Sequence, residues 1–320
     1  MTVQILILLA GLALIVFGAD WLVDGASAIA RKAGISEFVI GLTIVGFGTS
    51  CPELVVSLTG AFEGNADISI GNVVGSNIFN TLLILGVTAL FSPIAVTPSN
   101  RKRDIPLTLL VTFAFLFCGL GYSLFGMGNG DNISRVEGVV FLVLFASYLY
   151  LCFKFDSGNG NENGNTKNVG PVMAVILVIA GLGGLIGGGR LFVDSAVEIA
   201  RMTGVSDKFI AVTILAGGTS LPELATCIVA AAKHRDQLAL GNILGSNVFN
   251  ILLIIGSSAV VTPLSFKGMG LVDCSVLAFS AIMVWLWTYT GKKNVIDRWE
   301  GFLMLATFAG YYWYLIAGIQ

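Results

Sequence analysis

Apolar residues in this 320-residue chain run in long, nearly uninterrupted blocks rather than alternating with polar ones. Ten blocks stand out, at 3–29, 36–62, 67–91, 105–124, 136–154, 171–200, 207–232, 237–262, 269–290 and 299–318. A helix needs about 20 such residues to cross the hydrocarbon of a bilayer, so each block reads as one span. The pattern predicts an all-α polytopic membrane protein with ten transmembrane helices. The first block has no basic segment before it and runs too long for a signal peptide, so it is expected to remain as a helix. The sequence between spans five and six, DSGNGNENGNTKNVG at 156–170, is polar and Gly/Asn-rich and reads as a flexible linker.

The blocks are not independent. Adding 170 to a residue number brings the chain back onto itself without a gap. Asp24 falls on Asp194, Arg31 on Arg201, Gly34 on Gly204 and Pro93 on Pro263; GTSCPEL at 48–54 falls on GTSLPEL at 218–224, and GNVVGSNIFN at 71–80 on GNILGSNVFN at 241–250. Five spans separate the copies. Because five is odd, the second copy must enter the membrane from the opposite face. The chain therefore divides into a five-helix repeat at 1–155, the linker at 156–170, and an inverted five-helix repeat at 171–320. Inverted repeats of this kind build transporters whose site lies at the midplane between the halves.

Charge sets the orientation. Connections after the odd-numbered spans carry twelve basic residues, among them Arg31, Lys32, Arg101, Lys102, Arg103, Lys154, Lys233 and Arg235, whereas the other side carries Arg135, Arg201, Lys208 and Lys267. The positive-inside rule places the first set in the cytoplasm, both termini outside and the linker inside, in a cell (inner) membrane. With 56% hydrophobic and 11% charged residues the chain cannot present a water-facing surface, and a net charge of −2 offers no footprint for nucleic acid. The partner surface is lipid, and the expected state is monomeric. The five cysteines form no CxxC pair and read as small packing residues.

Spans 2 and 7 each carry Gly-Thr-Ser-x-Pro-Glu in mid-membrane. Proline removes a backbone donor and clashes with the turn before it, so the helix should open there and free backbone carbonyls. Irregular backbone at that depth is tolerated only against a cavity or packed protein. Thr49, Ser50, Thr219 and Ser220 add hydroxyls, and Glu53 and Glu223 one carboxylate each. A carboxylate in the bilayer core costs at least about 2.5–3.5 kcal/mol, and two at repeat-equivalent positions point to function. Spans 3 and 8 place Ser76 with Asn80, and Ser246 with Asn250, one helical turn apart on one face. Asn77 and Asn247 point elsewhere and read as structural. The expected architecture has helices 2, 3, 7 and 8 broken at the midplane. Carboxylate, hydroxyl, amide and carbonyl oxygens without His, Cys or Met suit hard cations such as Ca²⁺ and Na⁺.

At these residues the sequence resembles the cation/calcium exchanger superfamily, in its microbial sodium/calcium exchanger branch, whose alpha repeats carry paired GTS-x-PE and GSN-x-FN motifs. The resemblance covers nearly the whole chain. It implies a secondary antiporter, not an enzyme, with Ca²⁺ and Na⁺ as cargo and no cofactor. It further implies that Glu53 and Glu223 are ligands shared by both ions, with Thr49, Thr219, Ser50, Ser220, Ser76, Ser246, Asn80, Asn250 and the carbonyls of Gly46 and Ala216. In such proteins spans 1 and 6 slide past a fixed core, and several Na⁺, three in typical members, enter as one Ca²⁺ leaves. Members that co-transport K⁺ carry an acid at the position of Asn250, so the asparagine here implies exchange without K⁺.

A calcium/proton antiporter is the nearest alternative, but its relatives usually carry a Gly-Asn-Ala-Thr-Glu type motif. A channel fits poorly with two inverted repeats that each break a helix. An intramembrane Ser/His hydrolase lacks a membrane-buried histidine, since His234 sits in a loop beside Lys233 and Arg235; an aspartyl pair would need Asp24 and Asp194 among the motifs, and they are not. Asp20, Asp24, Arg190 and Asp194 read as charges near an interface rather than along an ion path. The charge asymmetry predicts that, in a Cys-free background, a cysteine at Gly160 is labelled only from the cytoplasm and one after Ile319 only from outside. Labelling of both from one face would break the odd-span argument.

Overall fold

The computed structural model describes residues 1–64, 66–126, 130–155, 169–203, 216–266, 268–290 and 294–317. Each expected block is helical where it is described. The helices are α1 (Thr2–Ala33), α2 (Glu37–Thr49), α3 (Cys51–Phe62), α4 (Ile68–Phe91), α5 (Ile105–Gly119), α6 (Arg135–Lys154), α7 (Pro171–Met202), α8 (Leu221–Ala232), α9 (Asp236–Val261), α10 (Leu271–Trp287) and α11 (Arg298–Ala317). Among the described residues, α1, α4, α6, α7 and α9 are long and apolar enough to cross a membrane, and α2 with α3 forms a sixth, bent span. Most of the linker (156–168) and the first part of span 7 (204–215) lie outside the described residues.

Local chemistry sets several helix ends. Gly34, at φ 68°, turns α1 off in the left-handed region open to glycine. The Ser36 hydroxyl accepts from the Val39 N–H and caps α2. Ser134 and Glu137 form a reciprocal capping box that starts α6.

Burial divides the helices into a core and a periphery. The most apolar window of α9 is 94% buried and that of α4 72%, against 22% in α1 and in α6. α1, α6 and α7 carry large exposed apolar side chains such as Leu6, Phe17, Val143, Val172 and Ile179. The breaks expected in spans 3 and 8 are absent: α4 and α9 are continuous. In their place is a stretch of π-helix at Phe79–Ile84 and, 170 residues later, at Phe249–Ile255. No proline interrupts either stretch, so the chain absorbs the distortion as a wider turn and keeps its backbone bonds, a device often found at functional sites.

Two short antiparallel ladders tie the halves at their ends. β1 (Ile94–Ala95) pairs with β4 (Val295–Ile296), and β2 (Asn132–Ile133) with β3 (Leu264–Ser265). Connections that the span count assigns to one face also meet in space. Buried Arg235 pairs with Glu37 at 2.9 Å, Gln237 donates to the Ala95 carbonyl and Arg103 to that of Phe155, while at the opposite face Arg135 donates to the Val261 carbonyl.

The two longest helices, α1 and α7, pack antiparallel along their whole length. Glycines seven residues apart carry the contact. A Cβ on Gly11 would lie 2.9 Å from the Gly188 carbonyl, one on Gly18 2.9 Å from that of Gly181, and one on Gly25 2.7 Å from that of Ala174. Small residues let backbones approach this closely in a membrane, where no hydrophobic effect drives helices together. Gly18→Val is therefore expected to force the pair apart and cost about 1–3 kcal/mol, read as a lower unfolding midpoint in detergent. Gly187→Ala, where a Cβ meets nothing within 4 Å, should melt like the native protein. Equal midpoints for the two variants would contradict this packing.

Candidate functional site

The polypeptide breaks where proline predicts it. Between α2 and α3, Ser50 leaves helical geometry (φ −84°, ψ 7°), Pro52 occupies the first turn of α3, and the two helices meet at 50°. In the second repeat Ser220 (φ −91°, ψ 7°) and Pro222 repeat the arrangement before α8. Each break begins a new helix with a glutamate in its first turn, Glu53 or Glu223. Helix N-termini favour negative charge there.

The two breaks face each other and are cross-bonded. The Ser50 hydroxyl donates to Glu223 Oε1 at 3.0 Å, and the Ser220 hydroxyl donates to Glu53 Oε1 at 3.3 Å. Both carboxyl groups are 1% exposed. Ser76, Ser246, Asn80 and Asn250 are buried on the π-helical segments or the turn before them.

A second layer fixes the amides. Asn80 donates through Nδ2 to Asn247 Oδ1 at 3.2 Å, and Asn250 donates to Asn77 Oδ1 at 2.9 Å. Asn77 is anchored on the Asn247 carbonyl, and Asn247 on the Thr81 hydroxyl. With their NH₂ groups committed, Asn80 and Asn250 can only turn Oδ1 the other way. Asn77 and Asn247, read from sequence as structural, thus orient the two amides. Asn242 and Asn72 were invisible as participants. Asn242 accepts from the Thr49 hydroxyl at 3.2 Å, and Asn72 donates to the Glu53 carbonyl and to Ser57. The signal available was their place in the repeated Gly-Asn at 71–72 and 241–242.

What remains is a set of buried oxygens with no partner: Glu53 Oε2, Glu223 Oε2, Asn80 Oδ1, Asn250 Oδ1 and the Ser246 hydroxyl. Leaving a buried acceptor unsatisfied costs about 1–3 kcal/mol, more when it is charged, so five in one repeated motif set need an explanation. Acceptors without donors are what a metal cation binds. Among the described residues no three His, Cys, Asp or Glu side chains come together, so the donor set is two carboxylates with hydroxyls and amides. Gly46 offers its carbonyl beside Thr49, although it already accepts from the Ser50 N–H at 3.1 Å. Ala216 opens the short helix Ala216–Gly218 just before the second break.

The halves differ in access. Thr49 is fully buried, whereas its mate Thr219 lines a cavity of about 200 Å³ between α3, α7 and the second break, with Pro52, Val55, Val56, Gly189, Arg190, Val193, Asp194 and Pro222 on its walls. Three of the mates in the other repeat, Ala19, Val23 and Thr226, are at most 1% exposed, whereas Asp20 and Asp24 stay part-exposed.

Residues 3–154 and 173–317 match the profile of the family described as sodium/calcium exchanger protein. The chain belongs to the sodium/calcium exchanger family. Sodium/calcium exchanger MaX1 of Methanosarcina acetivorans is 34% identical over 97% of both chains, and the uncharacterized membrane protein MJ0091 of Methanocaldococcus jannaschii is 38% identical over 94% of both. A solved structure of the sodium-calcium exchanger NCX_Mj, soaked with Na⁺ and Ca²⁺, superimposes with a TM-score of 0.83 at 35% identity over 99% of each chain. For this exchanger family member, Asn247→Leu removes the anchor of Asn80. Loss of such an outer support is expected to weaken Ca²⁺ binding roughly 10–100-fold, read from the Ca²⁺-dependent rise in unfolding temperature. A native-like rise would show that Asn80 needs no anchor.

Proposed function

We propose that this protein is a secondary antiporter that exchanges Na⁺ for Ca²⁺ by alternating access, and that both ions use the site between the two helix breaks. The observation that carries the reading is the set of unpartnered buried oxygens on Glu53, Glu223, Asn80, Asn250 and Ser246. Thr49, Thr219, Ser50, Ser220 and Ser76 add hydroxyls, and Gly46 and Ala216 add carbonyls. Ca²⁺ accepts about 6–8 oxygens in flexible geometry, which two copies of one motif can supply. A single Ca²⁺ neutralises the two carboxylates.

Shared ligands explain the coupling. Ca²⁺ and Na⁺ cannot both be bound, so one must leave for the other to enter. An empty site holds two uncompensated carboxylates, and burying each costs several kcal/mol. The long helices α1 and α7 therefore slide past the site, changing the face to which it opens, only when a cation has neutralised it. Uncoupled leakage is suppressed by the same charges that bind the cargo.

The architecture proposed is ten transmembrane helices in two inverted repeats, 1–155 and 171–320, joined by a cytoplasmic linker at 156–170. Both termini lie outside the cell membrane, and a monomer is sufficient. The pairing of connections by face supports this: those after spans 1 and 7, 3 and 7, 3 and 5, and 3 and 9 touch on one side, and those after spans 4 and 8 on the other. A calcium/proton antiporter remains the rival chemistry; the GTS-x-PE motif in both repeats favours Na⁺.

The test is ⁴⁵Ca²⁺ uptake into proteoliposomes under an imposed Na⁺ gradient at fixed pH. Uptake should require the gradient and should respond to membrane voltage, since three Na⁺ against one Ca²⁺ moves net charge. It should be unchanged when K⁺ is replaced by an impermeant cation, because two carboxylates leave no charge for a further ion. Glu53→Gln and Glu223→Gln should each abolish it while the protein still folds. Uptake driven by a pH gradient alone, or near-native exchange by either variant, would reject the assignment.

A further inference from the structure

The Lys233 side chain closes the α8 end of the molecule onto α1. Its ammonium lies 2.7 Å from Asp20 Oδ1 and 2.6 Å from Asp24 Oδ1, and donates to the Asp20 carbonyl at 3.2 Å. Lys233 is the residue that ends α8, where the helix dipole favours a cation, and the two aspartates stand one turn apart on α1. This contact joins the α1–α7 pair to a helix that carries half of the ion site. It lies on the side where the passage is shut.

The repeat places the mates of these residues at the other face with their charges exchanged. Asp20 falls on Arg190, and Lys233 falls on Glu63, the residue that ends α3. Only Asp24 keeps its sign, as Asp194. Among the described residues no ion pair joins Arg190 to Glu63. Instead, Arg190 is exposed and lines the open cavity, and Glu63 is exposed at the end of α3. A complementary pair thus survives in both repeats although both residues have changed sign, a pattern that a solvated surface charge gives no reason to keep.

We infer that Lys233 with Asp20 and Asp24, and Glu63 with Arg190, are two alternating latches that hold the inner and outer passages shut in turn as α1 and α7 move. This rests on the alternating-access reading above and adds the residues that set the resting state. The two latches are unequal. The inner one clamps a lysine between two carboxylates. In the outer one Arg190 has a single acidic partner, and Asp194, one turn on, competes for the arginine and repels Glu63. The protein therefore rests with its inner face closed, as seen here.

The experiment uses a Cys-free full-length protein in oriented vesicles and a membrane-impermeant thiol reagent applied from either side. Val55→Cys reports the open passage, and Ala225→Cys, its repeat mate in α8, reports the closed one. Adding Lys233→Glu should raise cytoplasmic labelling at Ala225→Cys at least roughly fivefold and lower external labelling at Val55→Cys, the range of a typical coupling between conformational states. Adding Asp20→Lys to Lys233→Glu should return both rates toward native, and Lys233→Arg should leave them unchanged. Arg190→Glu should do the opposite of Lys233→Glu. Unchanged labelling in Lys233→Glu, a rise at both reporters as in a loosened fold, or no recovery in the double variant would each overturn the latches. Labelling reads access without reference to cargo, so an absence of Na⁺-driven Ca²⁺ uptake in the native protein would reject the transport reading and leave this result standing.

Discussion

The Ser50 hydroxyl reaches Glu223 and the Ser220 hydroxyl reaches Glu53, and the remainder of the protein serves that reciprocal contact. Each carboxylate stands in the first turn of its own repeat's helix but is hydrogen-bonded by the other repeat's broken turn. Neither half can complete the site alone. Glycine-lined contacts between α2 and α9 bring the halves together, with Gly41, Gly241 and Gly245 set directly against opposing backbone. The two small ladders and the Glu37–Arg235 pair hold the connections at either end. The energetic consequence is a buried pair of carboxyl groups whose charge, when both are ionised, calls for a cation to offset it.

Rigidity and motion divide along the same line. α4 and α9 are mostly buried and carry the π-helical turns that present Asn80 and Asn250, so the amides they offer are held from behind by Asn77 and Asn247. The α1–α7 pair is the opposite case. It is tightly packed within itself through its glycines, yet largely exposed on its outer side and joined to the core on one face by an ion-paired lysine. A unit that is stiff inside and lightly attached outside can move as a body.

Much of this was legible in the sequence, and the reasons are physical. Proline after Gly-Thr-Ser in an apolar run has few outcomes other than a broken helix, and two glutamates at membrane depth announce themselves by their cost. The repeat at 170 residues then paired every site residue with its mate. Spans 3 and 8 were harder. FNTLLI and FNILLII look like ordinary apolar helix and a π-turn leaves no residue signature, so the widened turn that stands in place of the expected break is not legible in the sequence. The roles of Asn77, Asn247 and Asn242 depend on which side chain lies across the interface between repeats, which spacing along one helix cannot reveal. Lys233 counted in the sequence only as one more cytoplasmic charge. Its partners, 209 and 213 residues earlier, became visible only when α8 was set against α1.

The claim at the centre is that one set of oxygens serves both cations and that its charge is limited to two carboxylates. Equilibrium ⁴⁵Ca²⁺ binding to the purified protein, measured across a series of Na⁺ concentrations at constant ionic strength, tests it most directly. The account predicts one Ca²⁺ per chain, displaced completely and cooperatively by Na⁺ because several Na⁺ must enter where one Ca²⁺ leaves. Ca²⁺ that stays bound at saturating Na⁺, or a second equivalent Ca²⁺ per chain, would contradict it.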